Sequence, residues 1–145
     1  MANIRQLIRS DIKTALTGLA TTGSNVYASR VYPLDAGKLP GLVLYTDEET
    51  TEYITVGLPR TQRRTLTIKI EAYVKGTSGS DDALDTICAE VEAALYNDVA
   101  RNGYAHDTQV VSFDARFAGD GDQPVATGVI SVEVVYTTAE GAPTN

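Results

Sequence analysis

The sequence predicts an α+β domain in which a mostly antiparallel β-sheet carries two α-helices on one face. Residues 63–75 alternate apolar and polar side chains with a period of two, which indicates one long, half-buried strand. Residues 81–95 instead repeat apolar side chains at three- and four-residue spacing, as an amphipathic helix does. The other strand-like segments are separated by single helices or turn sequences. Because 145 residues suit one folding unit, we expect a single domain over residues 1–145.

A first helix is predicted over residues 4–16. Asn3 is placed to cap its start with a side-chain oxygen, and Gly18 or Gly23 is expected to end it. The charged residues of this segment fall on the opposite side from its apolar stripe, so one face of the helix should pack on the sheet. The stripe comprises Ile4, Leu7, Ile8, Ile12, Ala15 and Leu16.

The next segments predict short strands and a long connection. Residues 26–32 are a short extended piece, and residues 33–40, bounded by two prolines, are a loop. Residues 42–46 form an apolar run typical of a strand buried on both faces. The next strand begins only near Thr65, and residues 53–56 are predicted to form a returning edge strand on the way. A connection of this length in a compact domain is often functional.

The central strand and the second helix are the most strongly patterned part of the chain. Residues 76–80 break the strand and offer a serine hydroxyl as the cap of the helix. Asp81 and Asp82 follow in the first turn, where the helix dipole favours negative charge. Cys88, the single cysteine, is predicted to be a small core residue, since it lies on the apolar stripe. The core positions are Leu66, Ile68, Ile70, Ala72 and Val74 in the strand, and Leu84, Ile87, Cys88, Val91, Ala94 and Leu95 in the helix.

The C-terminal third predicts a β-hairpin. Residues 97–103 are a helix cap and turn, and residues 111–117 alternate as a strand. Residues 119–124, which include Asp-Gly followed by proline, are a strong turn sequence. A long last strand then presents one face with its even-numbered residues from 126 to 136. Residues 139–145 are small and polar, and we expect them to form a flexible tail.

Composition and motifs exclude several classes of function. The formal net charge of −7 and the pI of about 4.6 disfavour a protein that grips phosphate backbones. No apolar run is long enough for a membrane helix, and no secretory signal is visible. His106 is expected to be a surface histidine, and no Gly-x-Ser-x-Gly nucleophile motif is present. The Gly-rich residues 76–80 lack a P-loop lysine, and Asp120 and Asp122 lack the distal glutamate of a calcium loop. We therefore expect a protein that is not an enzyme and has no metal or cofactor.

The long connection carries carboxylates at one end and arginines at the other. A solvated loop or a cation site would account for the carboxylates alone. The acidic end and the basic end together could bind a second copy of the chain in a head-to-tail contact that closes rings. Alternatively, they could form salt bridges within one chain. The sequence leaves these two alternatives open. If the charges bind a second copy, reversing the charges of Arg63 and Arg64 should leave folding intact and abolish assembly. The residues are Asp47, Glu48, Glu49, Glu52, Arg60, Arg63 and Arg64.

Five consecutive segments, within a match over residues 1–138, carry a resemblance to a known family. They are the helix at residues 4–16, the segment Val26–Pro33, the Leu-Pro-led segment Leu39–Glu49, the arginine-led strand Arg64–Val74 and the acid-opened helix Asp81–Glu92. Together they resemble the tail terminator proteins of long-tailed bacteriophages, the group typified by the lambda minor tail protein U. The matching features are patterns of helix and strand rather than catalytic residues. Residues 96–123 are the least similar part.

The resemblance implies a structural virion protein without enzymatic activity or cofactor. Its protomer would assemble, in the host cytoplasm, as a hexameric ring on the tail tube protein. The ring would stop tube polymerisation and present its other face to a head-completion or neck protein. Viral DNA would pass through the lumen without specific binding, and no membrane is involved. Two alternatives are a neck or tail-completion (head-tail joining) protein and, from another class, a small α+β ligand-binding module.

Overall fold

The computed structural model describes residues 3–28, 40–76, 79–118 and 125–143. Their secondary structure is two helices and one mostly antiparallel sheet of five strands, so the predicted α+β class is confirmed. In chain order the elements are α1 (Ile4–Leu16), β1 (Val26–Tyr27), β2 (Gly41–Tyr53), β3 (Thr61–Lys75), α2 (Ser80–Tyr96), β4 (Asp107–Ala118) and β5 (Val125–Ala139).

The sheet has the strand order β1-β2-β3-β5-β4, and β3 lies at its centre. Along its full length β3 pairs antiparallel with β5, from Thr61 opposite Ala139 to Lys75 opposite Val125. It also pairs antiparallel with β2, whereas the short β1 runs parallel to β2. Two long ladders on one strand fix the register, because a shift by one residue would turn every core side chain to the opposite face.

Both helices cover the same face of this sheet and form one hydrophobic core with it. The predicted alternation of β3 is confirmed, because its even-numbered residues from 66 to 74 are buried while their odd-numbered neighbours are not. The even-numbered residues of β5 extend the same buried layer. The fully buried members include Ile8, Ile12, Leu16, Ile68, Ile70, Ile87, Val91, Ile130 and Val132.

The start of α1 agrees with the cap predicted from the sequence, whereas the start of α2 does not. Asn3 caps α1 by accepting a hydrogen bond from the Arg5 amide at 2.9 Å, and Gly18 lies just beyond the end of the helix with φ of 93°. At α2 the predicted serine cap is wrong: Gly79, with φ of 88°, holds the cap position without a side-chain hydrogen bond. Ser80 is instead the first residue of the helix, followed by Asp81 and Asp82. A left-handed backbone favours glycine there over a hydroxyl residue.

The predicted long connection between residues 46 and 65 is wrong, because β2 continues through the acidic run to Tyr53. A β-bulge at Asp47 lets the strand pair with β3 on both sides of the irregularity. The segment 53–56 is therefore not a separate strand. β2 and β3 form one long hairpin, closed by residues 54–60. Main-chain pairing with β3 overrides the low strand propensity of the acidic residues.

The C-terminal hairpin is confirmed, with two local features that shape its edge. A second bulge lies at Val111 of β4, and the ring of Phe113 packs directly over Gly128 of β5. A Cβ atom at Gly128 would lie 2.7 Å from that ring, so any other residue there would require the ring to shift. The predicted turn at residues 119–124 lies outside the described residues. Past β5, the amide of Ile4 donates to the carbonyl oxygen of Pro143 at 2.9 Å, so the described part of the C-terminal segment lies against α1.

Candidate functional site

The closed end of the β2–β3 hairpin, residues 53–58, is the most apolar exposed segment of the described chain. Val56 is 98 % exposed and Leu58 82 %, and Tyr53 and Ile54 are also exposed. We call this segment the hairpin tip. Single exposed apolar residues are ordinary, but four within six positions form a contiguous patch of the kind that proteins use for contacts with partners. This patch was not predicted from the sequence, because residues 53–56 were expected to form a strand. The Gly57-Leu58-Pro59 turn sequence was the available signal.

Two ion pairs lie at the base of the hairpin tip. The guanidinium of Arg60 contacts the carboxylate of Glu140 at 2.6 Å and lies over the ring of Tyr53 at 4.6 Å. The amide of Glu140 also donates to the carbonyl oxygen of Arg60 at 2.8 Å. Arg63 and Glu52 lie 3.8 Å apart on exposed side chains, so this second pair contributes little. The tip therefore projects from a base fixed chiefly through Arg60.

A buried charge network lies below the tip, on the helix-covered face of the sheet. The side chain of Glu49 is only 8 % exposed. Its carboxylate forms ion pairs with the guanidinium of Arg5 in α1, at 2.7 Å, and with that of Arg64 in β3, at 3.1 Å. The hydroxyl of Tyr136 donates to the same carboxylate. The bulge at Asp47 is what turns Glu49 toward this face, because it shifts the alternation of β2 by one residue. The network joins α1, β2, β3 and β5 at one point.

This network predicts a pH-dependent contribution to stability. Burial acts to raise the pKa of Glu49, but the hydrogen bonds from Arg5 and Tyr136 outweigh it, and the pKa lies below its ordinary value of 4.5. A depressed carboxyl pKa stabilises the fold above the unfolded pKa, and that stabilisation is lost as the pH falls through the folded pKa. We therefore expect Glu49→Gln to lower the free energy of unfolding at pH 7, with a deficit that shrinks below about pH 4.5.

Urea unfolding of both proteins at stepped pH values measures this deficit. Glu48→Gln is the matched control: Glu48 is the exposed neighbour, and its change should stay within about 0.5 kcal/mol at pH 7. A deficit for Glu49→Gln that does not change with pH would contradict the assigned role of the Glu49 carboxylate.

The predicted interface residues thus separate into two groups. Glu49, Glu52, Arg60, Arg63 and Arg64 all form ion pairs within the chain, as the second sequence-based alternative proposed. Asp47 and Glu48 have exposed side chains. A role for any of these seven residues in contacts between copies stays a prediction.

A second exposed apolar patch lies where α2 ends beside the edge strand β4. Tyr96 is 80 % exposed, and Val111 and Phe113 of β4 are also exposed. Next to Tyr96 is a shallow pocket of about 240 Å³, which we call the edge pocket. The edge pocket is lined by Glu92, Leu95, Tyr96, Val99, Thr108 and Val110.

A larger open cleft, of about 590 Å³, lies between α1 and the end of α2. At its base Arg101 is fully buried and donates to the carbonyl oxygens of Leu95, at 2.7 Å, and of Asp98. Its guanidinium also lies 3.2 Å from the Asp11 carboxylate of α1. These contacts tie the end of α2 to α1, so we interpret Arg101 as structural. The polar turn sequence gave no sign of a buried arginine.

The remaining predicted positions show no catalytic arrangement among the residues that the structure describes. His106 is exposed, with Nε2 3.0 Å from the hydroxyl of Thr137. Cys88 is partly buried against the core, and burial raises the pKa of its thiol. Asp120 and Asp122 lie outside the described ranges. Within those ranges, no group of three or more His, Cys, Asp or Glu residues is placed to hold a metal ion. Neither described helix has the length and apolar character needed to span a bilayer.

Comparison with known proteins finds a likeness to solved structures but to no known family. No protein-family model matches the chain, and no curated protein matches it. Among solved structures, the chain is similar to one in the virion of a native gene transfer agent particle. The two share 16 % sequence identity over 92 % of each chain, with a TM-score of 0.36.

Proposed function

We propose that this protein is a structural component of a phage-like virion, and specifically a tail terminator. The observation that carries the proposal is the presence of two separate exposed apolar patches, at the hairpin tip and at the edge of β4. Patches of this kind mark contact surfaces, and two different ones on one chain suit contacts between unlike surfaces of neighbouring copies. The sequence resemblance to tail terminators supports the same role.

Contacts between unlike surfaces have a geometric consequence that suits a terminator. Each copy offers one surface of each type, so copies add head to tail, and they form a closed ring when the rotation between neighbours divides a full turn. A closed ring has no free end, so it can cap the tail tube protein without itself growing into a filament. Its opposite face would contact the head-completion or neck protein, and viral DNA would pass through the lumen. The net charge of −7 disfavours adhesion of the DNA to the protein.

The oligomeric state tests this proposal. We expect native mass spectrometry of the purified chain to show a hexamer that grows at the expense of monomer as concentration rises, or when tail tube protein is added. In a tube polymerisation assay followed by electron microscopy, adding the protein should arrest elongation and leave a ring at the tube end.

Two results would contradict the proposal in different ways. A chain that stays monomeric or dimeric at every concentration, and leaves tube length unchanged, is not a terminator. If it also gains thermal stability from a metabolite, the ligand-binding alternative is favoured. Rings that bind a neck protein but do not arrest tube growth would indicate a head-tail joining protein instead.

A further inference from the structure

The large apolar side chains that remain exposed in the described residues fall into two groups on different parts of the fold. One group is the hairpin tip. The other consists of Tyr96, Val111 and Phe113, beside the edge pocket. The tip is a projecting loop, whereas the edge pocket is a depression of about 240 Å³ with mostly apolar walls. A projecting apolar loop and an apolar depression are complementary shapes.

The tip of one chain cannot reach the edge pocket of the same chain. Its base is fixed where Thr61 pairs with Ala139, whereas the pocket residues Thr108 and Val110 pair with Val134 and Val132. Val134 and Val132 precede Ala139 by five and seven residues in β5, which is a distance of roughly 20 Å at the rise of an extended strand. The β2–β3 ladder and the bond between the Ile54 amide and the Thr61 carbonyl oxygen, at 2.9 Å, prevent the loop from folding back.

The charges beside the two surfaces are also complementary. Glu92 lines the edge pocket, and α2, on which it lies, carries five acidic residues and no basic one. Near the base of the tip, Arg63 forms a weak ion pair with Glu52 at 3.8 Å and no other within the described part of the chain, and both side chains are exposed. Arg63 is therefore free to exchange this partner for a carboxylate of another molecule.

From these observations we infer that the hairpin tip of one copy docks into the edge pocket of a second copy, with Val56 and Leu58 against Tyr96. This inference deepens the proposed function and rests on it, since it names the contact that would close the ring. The contact is heterologous, because the tip of each copy meets the pocket of the next. Its strength should fall with salt, because Arg63 faces acidic residues.

Two variants disrupt the two surfaces one at a time and leave the core unchanged. The tip variant is Val56→Asp with Leu58→Asp, and the pocket variant is Tyr96→Lys. All three side chains are largely exposed, so folding should be retained, which circular dichroism melting verifies. Ser10→Asp and Thr86→Lys, at exposed helix positions, add similar charges as controls. We expect each surface variant, measured alone by sedimentation equilibrium, to weaken self-association at least about tenfold, and the controls to match wild type.

Mixing the tip variant with the pocket variant gives the decisive result. Only one intact contact remains, between the tip of the pocket variant and the pocket of the tip variant, so we expect 1:1 dimers and nothing larger. Wild-type rings that persist in both variants would overturn this contact while leaving the proposed function standing. The same holds if the mixture stays monomeric. A wild-type chain that stays monomeric even with tail tube protein would overturn both proposals.

Discussion

Replacing Arg64 with glutamate should lower the free energy of unfolding by about 3–5 kcal/mol at pH 7, because it breaks a buried ion pair and sets two carboxylates together. Arg64 is 14 % exposed and lies 3.1 Å from the Glu49 carboxylate, which is 8 % exposed. Its guanidinium also donates to Thr138 at 3.0 Å and to Gln62 at 2.8 Å. Those acceptors would lose their donor at the same time. Urea unfolding at neutral pH measures the loss.

The adjacent residue provides a matched control. Arg63→Glu makes the same charge change one position away, on an exposed side chain whose pair with Glu52 is 3.8 Å long. Its free energy of unfolding should change by about 1 kcal/mol or less. The structure thus revises the sequence-based expectation that reversing both arginines spares the fold, since only Arg63 is free of a buried pair. Equal losses for the two variants would contradict the assignment of Arg64 to the network.

The parts of the fold that could be predicted from sequence are those in which one face is buried without interruption. The alternation of β3 and β5 and the apolar stripes of α1 and α2 reflect one continuous core, so each pattern identified its element. The residues that cap the helices were predicted less reliably from local sequence. Asn3 caps α1 as expected, whereas the left-handed Gly79 displaced the serine expected at α2.

The course of β2 could not be predicted, because its alternation changes face within the strand. Leu42 and Leu44 pack beneath the helices, but after the bulge at Asp47 it is Glu49 that points to that side. A period-two pattern read straight through this point fails, and the acidic residues then suggest a loop. What keeps the strand paired is the ladder with β3, a long-range interaction that no local pattern encodes.

The same misreading concealed the candidate contact surface. With β2 ending at Tyr53, the exposed residues 54–58 become a loop projecting from a base that is fixed by Arg60 and Glu140 and, farther down, by the Glu49 network. A projecting loop with a rigid base loses less conformational freedom on docking than a mobile one. Of the charged residues singled out from the sequence, Arg60, Glu49 and Arg64 hold the base from which these apolar residues project.

Replacing Arg101 with methionine should lower the free energy of unfolding by about 3 kcal/mol, because two main-chain carbonyl groups lose a charged donor. Burial disfavours the charged guanidinium and lowers its pKa, which opposes this loss. The loss expected on substitution comes from the carbonyl groups of Leu95 and Asp98, since each charge-assisted bond that they accept is worth about 1.5–3 kcal/mol. Methionine keeps the apolar stem, and any strain at φ of 49° is retained. Urea unfolding provides the measurement.

Arg116→Met is the control for this substitution, because Arg116 forms an ion pair with Asp114 at 3.1 Å in which both side chains are mostly exposed. It should change the free energy of unfolding by about 1 kcal/mol or less. A double-mutant cycle with Asp11→Asn then isolates the contact between the helices. Burial raises the pKa of Asp11 and Arg101 opposes that rise, so removing Arg101 should raise this pKa further in an NMR titration. An unchanged Asp11 pKa, with less than about 1 kcal/mol of lost stability, would show that α1 and α2 are held together by apolar packing alone.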